Sequence, residues 1–176
     1  MPTTTKGIVC LGIDPGIGRL GWGVVSQTGG TYTALAYGCF ETPPHEATPI
    51  RIKALYDGVR EQIERCSPHF MSVERLYFGQ NRTTAEAVWQ ARGAILLLSA
   101  QYGLPLLEPK PSEVKLTVCG TGVAEKGQVQ RMVQHLLGLP ELVGGDHIHR
   151  IGDLARLLNA LNAITDLLKI GHPRPL

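Results

Sequence analysis

The chain has 176 residues, 43% hydrophobic and 18% charged, enough to bury one sizeable core, and no run approaches the roughly 18 consecutive apolar residues of a membrane span. The formal net charge of +2 is too small to announce a nucleic-acid partner, although it leaves room for a local basic face. Cys10, Cys39, Cys66 and Cys119 stand singly, without the close pairs of zinc sites or redox dithiols, so reduced, mostly buried thiols in a cytoplasmic protein are expected.

In chain order, MPTTTKGIVCLGID has one early lysine and a short apolar run that ends on an acid with no small-residue cleavage site behind it. A secretory leader is therefore not expected. Residues 8–13 are apolar and bounded by Gly and Pro, which suits a buried strand ending at Asp14. After the turn PGIGRLG, residues 22–25 form a second strand, and beyond Gly29-Gly30 the TYTALAYGCF segment forms a third, an antiparallel meander. Ile50, Ile52, Leu55, Val59 and Ile63 fall mostly at helical spacing and predict an amphipathic helix over 49–66. Past Pro68, the segment HFMSVE predicts a short strand ending on Glu74. A helix over 84–102, a strand over 104–107 and a short helix over 111–118 follow. GTGVAEKGQVQRMVQHLLGL reads as a loop and then a helix from 124 or 125 to about Gly138, and a last helix starts at 145–147 and runs to about 170. Strands first, then strands alternating with helices, predict an α/β protein. Its mixed sheet combines an antiparallel meander with parallel strands, its helices cover both faces, and it forms one domain over 1–176.

Three segments carry groups suited to chemistry. Asp14 sits where a strand meets a Pro-Gly turn, a position that serves either as a turn cap or as a metal ligand at a strand end. Glu74 repeats the arrangement, and buried in the sheet it would cost several kcal/mol unless it met a cation or solvent. In GGDHIHRIGD, Asp146 and His149 stand three apart at a helix start and share a face, with Asp153 close to it. Carboxylates and an imidazole around one or two Mg²⁺ or Mn²⁺ ions can activate water for in-line displacement at phosphorus. Each residue also has a plainer use: Asp146 as an N-cap, His149 as an exposed helix residue.

LGIDPGIGRLGWGVV around Asp14, SVERLYFGQNRTTAEAVWQARGA after Glu74, and PSEVKLTVCGTGVAEKGQVQRMVQHLLGLPEL resemble, in order and spacing, the RuvC family of Holliday junction resolvases. The resemblance covers nearly the whole chain. It implies an RNase H-like nuclease domain, a homodimer that binds a four-way junction and nicks two strands symmetrically, and an acidic cluster holding Mg²⁺ or Mn²⁺. A branch-migration helicase complex is a further partner by the same resemblance. Carried over by motif, Asp14 and Glu74 are the first two acids. The last two normally come from Asp or His, two small residues, then Asp and Ala-Leu-Ala, which counts onto Asp146 and His149. Here the final Asp is replaced by His149 and the continuation reads RIGDLARLLNALNA. Three readings stay open: Asp146 and His149 fill both places, a local shift makes Asp153 the final acid, or Arg150 and the exchange impair the site.

By the same resemblance Tyr77 stands where the family inserts an aromatic residue at the crossover, with Phe78 an equal candidate for a core role. Lys115 and Lys126 fall in the segments whose lysines face DNA, and Arg75, Arg82 and Arg92 extend that basic track. The rival readings are another RNase H-like nuclease or a catalytically impaired junction-binding protein. An actin-like or sugar-kinase-type fragment would need a second phosphate-binding glycine loop and length for two lobes, which the chain lacks.

Overall fold

The computed structural model describes residues 7–76 and 82–139. Three strands open it: β1 (Ile8–Asp14), β2 (Arg19–Thr28) and β3 (Thr31–Glu41), joined as the expected antiparallel meander. Helix α1 (Thr48–Cys66) has Pro in its first turn, where the missing N–H costs nothing, and ends on Ser67 in the left-handed region at φ 46°. Its Leu55, Val59 and Ile63, four apart, form one buried stripe.

Strand β4 (Phe70–Val73) runs parallel to β1, and β5 (Leu106–Leu107) runs parallel to β4. Between them lies α2 (Arg82–Gln101). The five-stranded sheet has the order β3-β2-β1-β4-β5, the mixed sheet predicted. Helices α3 (Pro111–Cys119) and α4 (Lys126–Leu137) complete the described chain, each stopped by a left-handed glycine, Gly120 and Gly138. The predicted strand over 104–107 shrinks to its last two residues. Leu104 packs into the core and the Pro105 carbonyl accepts the Met71 N–H, leaving only Leu106 and Leu107 in register. The predicted helix over 145–170 lies outside the described residues.

Side chains on a strand alternate between the two faces, and each face here has its own core. Leu11, Ile13, Met71 and Val73 pack with Leu55, Val59, Ala91, Ile95 and Leu98 beneath α1 and α2. Cys10, Phe70 and Leu107 pack with Val114, Val118, Val129 and Val133 beneath α3 and α4. Helices therefore cover both faces, as predicted. The meander contains one irregularity: Val24 pairs with Ala36 but Val25 with Ala34, so Leu35 is a bulge residue. The extra residue lets Tyr32 and Ala34 face the α3/α4 core while Ala36 and Phe40 face the other. All four cysteines are free, but only Cys10 is fully buried; Cys39, Cys66 and Cys119 are partly exposed, against the expectation of mostly buried thiols. Among the described residues no helix is long and apolar enough to cross a membrane.

Candidate functional site

β1 and β4 are neighbours and parallel, so their C-terminal ends lie at the same edge of the sheet. Ile13 pairs with Val73, and the Glu74 N–H donates to the Ile13 carbonyl at 3.1 Å. Asp14 and Glu74 each follow that pair by one residue. Alternation sends both to one side: Cys10, Gly12 and Asp14 share a face on β1, as do Phe70, Ser72 and Glu74 on β4, and Cys10 and Phe70 belong to the α3/α4 core. The structure thus brings together two acids that lie 60 residues apart in sequence. Asp14 is exposed and Glu74 half-buried, so both are within reach of solvent and of a ligand at that edge.

The turn after Asp14 is tightly built. A Cβ on Gly16 would come within 2.3 Å of the Arg19 carbonyl oxygen, so no larger residue fits. Ile17 plugs into the α1/α2 core. Thr42 fastens the same turn from the far end of β3. Its Oγ1 donates to the Ile17 carbonyl at 2.5 Å, its N–H donates to the Gly18 carbonyl at 3.1 Å, and Arg51 Nε of α1 donates to Oγ1 at 2.9 Å. Nothing in the sequence singled out Thr42 or Arg51, because their partners are distant along the chain.

β5 also ends before an acid, Glu108, which the sequence reading passed over. Leu107 faces the α3/α4 core, so Glu108 turns to the opposite side, toward α2. There Arg92 Nη2 donates to its carboxylate, Arg92 Nε donates to the Glu74 carbonyl at 3.3 Å, and the guanidinium lies 5.7 Å from the centre of the Trp89 ring. Arg92 is 5% exposed. It therefore does not extend the basic track predicted for it: it is buried and committed to Glu108. The Arg in QARG and the acid after the third parallel strand were the available signals, but only the fold pairs them.

Lys115 lies in the second turn of α3, beside the buried Val114 and partly exposed. That helix begins just beyond Pro109, whose carbonyl accepts the Arg75 N–H at 3.0 Å, so α3 starts at the edge where β4 ends. Its positive N-terminus is oriented there by the fold. Arg75 is exposed. Burial raises the Cys119 thiol above its ordinary pKa, with the nearby Lys115 ammonium opposing the shift. Lys126 is the first residue of α4 and Arg82 the first of α2. Tyr77, Phe78, Asp146, His149, Arg150 and Asp153 lie outside the described residues. Among the described residues no three His, Cys, Asp or Glu side chains converge. Asp14 and Glu74 thus form a pair. Their donor set consists of oxygens, which fits a hard divalent cation such as Mg²⁺ or Mn²⁺. An open groove between α1 and α2, lined by Thr48, Ile52, Tyr56, Glu86 and Gln90, lies on the other side of the sheet from this pair.

Residues 10–151 match the family model described as crossover junction endodeoxyribonuclease RuvC. The chain is 52% identical over 134 residues to the crossover junction endodeoxyribonuclease RuvC of Moorella thermoacetica, covering 76% of this chain and 80% of that protein. It is 40% identical over 165 residues to the one from Desulfitobacterium hafniense, covering 88% and 100%. The structure of Thermus thermophilus RuvC in complex with a Holliday junction substrate superposes with a TM-score of 0.79 at 29% identity, covering 96% of this chain and 100% of that one.

Proposed function

The chain belongs to the RuvC family of crossover junction endodeoxyribonucleases, and from that premise we propose that it resolves four-way junction DNA by symmetric, metal-dependent nicking in recombination and repair. The observation that carries the assignment of the site is the meeting of Asp14 and Glu74 at the ends of adjacent parallel strands, on one side of the sheet. In this reading both acids are metal ligands, completed by Asp146 and His149, with Asp153 as the alternative last acid. A bound Mg²⁺ or Mn²⁺ ion supplies Lewis-acid polarisation of the phosphate and a more acidic water.

The protein's own part is placement. Asp14 holds its charge on a turn that Thr42 and Ile17 keep from moving, and Glu74 holds its charge on a main chain bonded to β1. Lys115 and Lys126 hold backbone phosphates, which positions the strand without reading its sequence. Selection therefore rests on the shape of the branch point, and Tyr77 stacks on a base exposed there, an interaction worth roughly 1–3 kcal/mol. Two symmetric nicks need two sites related by a twofold axis, so the active species is a homodimer of single nuclease domains. The four free thiols suit the cytoplasm, where a branch-migration helicase complex would deliver the junction.

The test compares a synthetic four-way junction with a linear duplex of the same sequence, in Mg²⁺, in Mn²⁺ and in chelator, with a gel shift in chelator scoring binding. Paired nicks on the junction alone, dependent on metal, are expected. Asp14→Asn and Glu74→Gln should each slow nicking by roughly two to three orders of magnitude, the scale for losing one preorganised charge contact. Junction affinity should hold or rise, because a charge that repels phosphate is gone. Loss of binding together with cleavage would refute both assignments. Tight junction binding by the unaltered protein without nicks in either metal would favour the second reading, a binding protein whose cleavage was lost through the exchange at His149.

A further inference from the structure

We propose that Arg92 is a positioning residue for the site: from the opposite face of the sheet it fixes the main chain of Glu74, while Glu108 holds the guanidinium in place and neutralises it. The inference rests on Glu74 being a metal ligand, as proposed above.

Three hydrogen bonds converge on the end of β4. The Glu74 N–H is held by the Ile13 carbonyl at 3.1 Å, the Glu74 carbonyl by Arg92 Nε at 3.3 Å, and the next N–H, that of Arg75, by the Pro109 carbonyl at 3.0 Å. They tie Glu74 and the peptide bond that follows it to β1, to α2 and to the segment after β5. With both sides of its peptide held, Glu74 keeps only its side-chain torsions free, and its carboxylate is presented from a fixed point.

Arg92 is a costly way to do this if stability alone is at stake. An arginine only 5% exposed pays a desolvation penalty that a carboxylate partner roughly offsets, and apolar replacements of such pairs are often as stable. What an apolar residue cannot supply is the directed donor. The planar fork sends Nε to the Glu74 carbonyl and Nη2 to Glu108 at once, a geometry that lysine cannot copy. Glu108 also keeps the positive charge beside Glu74 from opposing a cation on the other side of the sheet.

The experiment uses the full chain with Arg92→Lys and Glu108→Gln. Melting in chelator establishes that each variant is folded, and all later measurements are made well below its Tm. Three quantities are then read: the Mn²⁺ concentration giving half-maximal nicking, the rise in Tm on adding Mn²⁺, and junction affinity in chelator. Partners that orient metal ligands are worth roughly 10–100-fold in metal affinity or activity. The expected result is a rise of that size in the Mn²⁺ midpoint for Arg92→Lys, a smaller rise for Glu108→Gln, a weaker Mn²⁺ effect on Tm in both, and junction affinity within about twofold of the parent. If Arg92→Lys does not fold, Glu108→Gln, nearly isosteric, decides alone. Unchanged metal dependence in a folded variant overturns the inference, and so does loss of junction affinity, which would make Arg92 a phosphate contact. A parent protein with neither metal-dependent nicking nor a Mn²⁺ effect on Tm would instead overturn the metal-site reading, and this inference with it.

Discussion

Thr42 shows how much of a site can depend on a side chain that touches no ligand. Its hydroxyl satisfies the buried Ile17 carbonyl and is itself held by Arg51, so the turn that follows Asp14 is fixed from outside the turn. Thr42→Val keeps the shape and removes the donor. The orphaned carbonyl should cost about 1–3 kcal/mol, measured by urea denaturation, with m unchanged. Nicking should fall with it while junction affinity stays, because Asp14 loses its fixed base. Full nicking in a destabilised variant would mean that the turn holds itself. The exposed pair Arg19–Glu41 at 3.0 Å spans the same end of β2 and β3, but solvent-screened pairs contribute little, so the hydroxyl is the stronger tie.

Elements here are fitted to one another by small residues. Gly58 lies in α1, where alanine would ordinarily stabilise the helix by about 1 kcal/mol. A Cβ at that position would come within 2.9 Å of the Phe40 ring, and that ring is stacked on Trp22 at 5.6 Å between centroids, so it can give way only by disturbing that stack. Gly58→Ala should therefore reverse the usual sign and lower stability by about 1–3 kcal/mol, the usual cost of overpacking. A raised Tm would show that α1 can slide over the sheet. The Leu35 bulge works at the same scale. It inserts one residue between Ala34 and Ala36, so the N-terminal part of β3 serves the core under α3 and α4 and the C-terminal part the core under α1 and α2.

For the whole molecule, metal binding and folding are linked. An ion that binds the folded chain alone adds RT ln(1 + [L]/Kd), about 2.7 kcal/mol at a hundredfold excess over Kd. Adding Mn²⁺ should raise the Tm of the parent protein, and Asp14→Asn should abolish the rise, as scanning calorimetry would detect. An equal rise in that variant would place the ion elsewhere. The order of elements and the pair Asp14 and Glu74 were legible in the chain because β1 and β4 are short, apolar and followed at once by an acid or end on one, and the other strands are bounded by Gly, Pro or an acid, signals that are local. Arg92 and Glu108 were not legible as a pair. An arginine in a helix reads as solvated by default, and only the packing of α2 over β4 and β5 buries it. The shortening of β5 and the reversal of facing at Leu35 were hidden for a similar reason: alanines, leucines and tyrosines alternate through both kinds of strand alike. The likeness of three long segments to one family carried the functional reading further than any single motif could.

The alternation that sends Asp14 and Glu74 to one side also limits how this enzyme can change in length. One residue inserted between Phe70 and Glu74 would carry the carboxylate through the sheet toward Arg92 and bring Val73 or the new residue to the site, and one deleted would turn it the same way and bring Arg75 there. A change of two would restore the facing. Within these strands the site can therefore be lengthened or shortened only by even steps, whereas the connections outside the sheet answer to no such arithmetic.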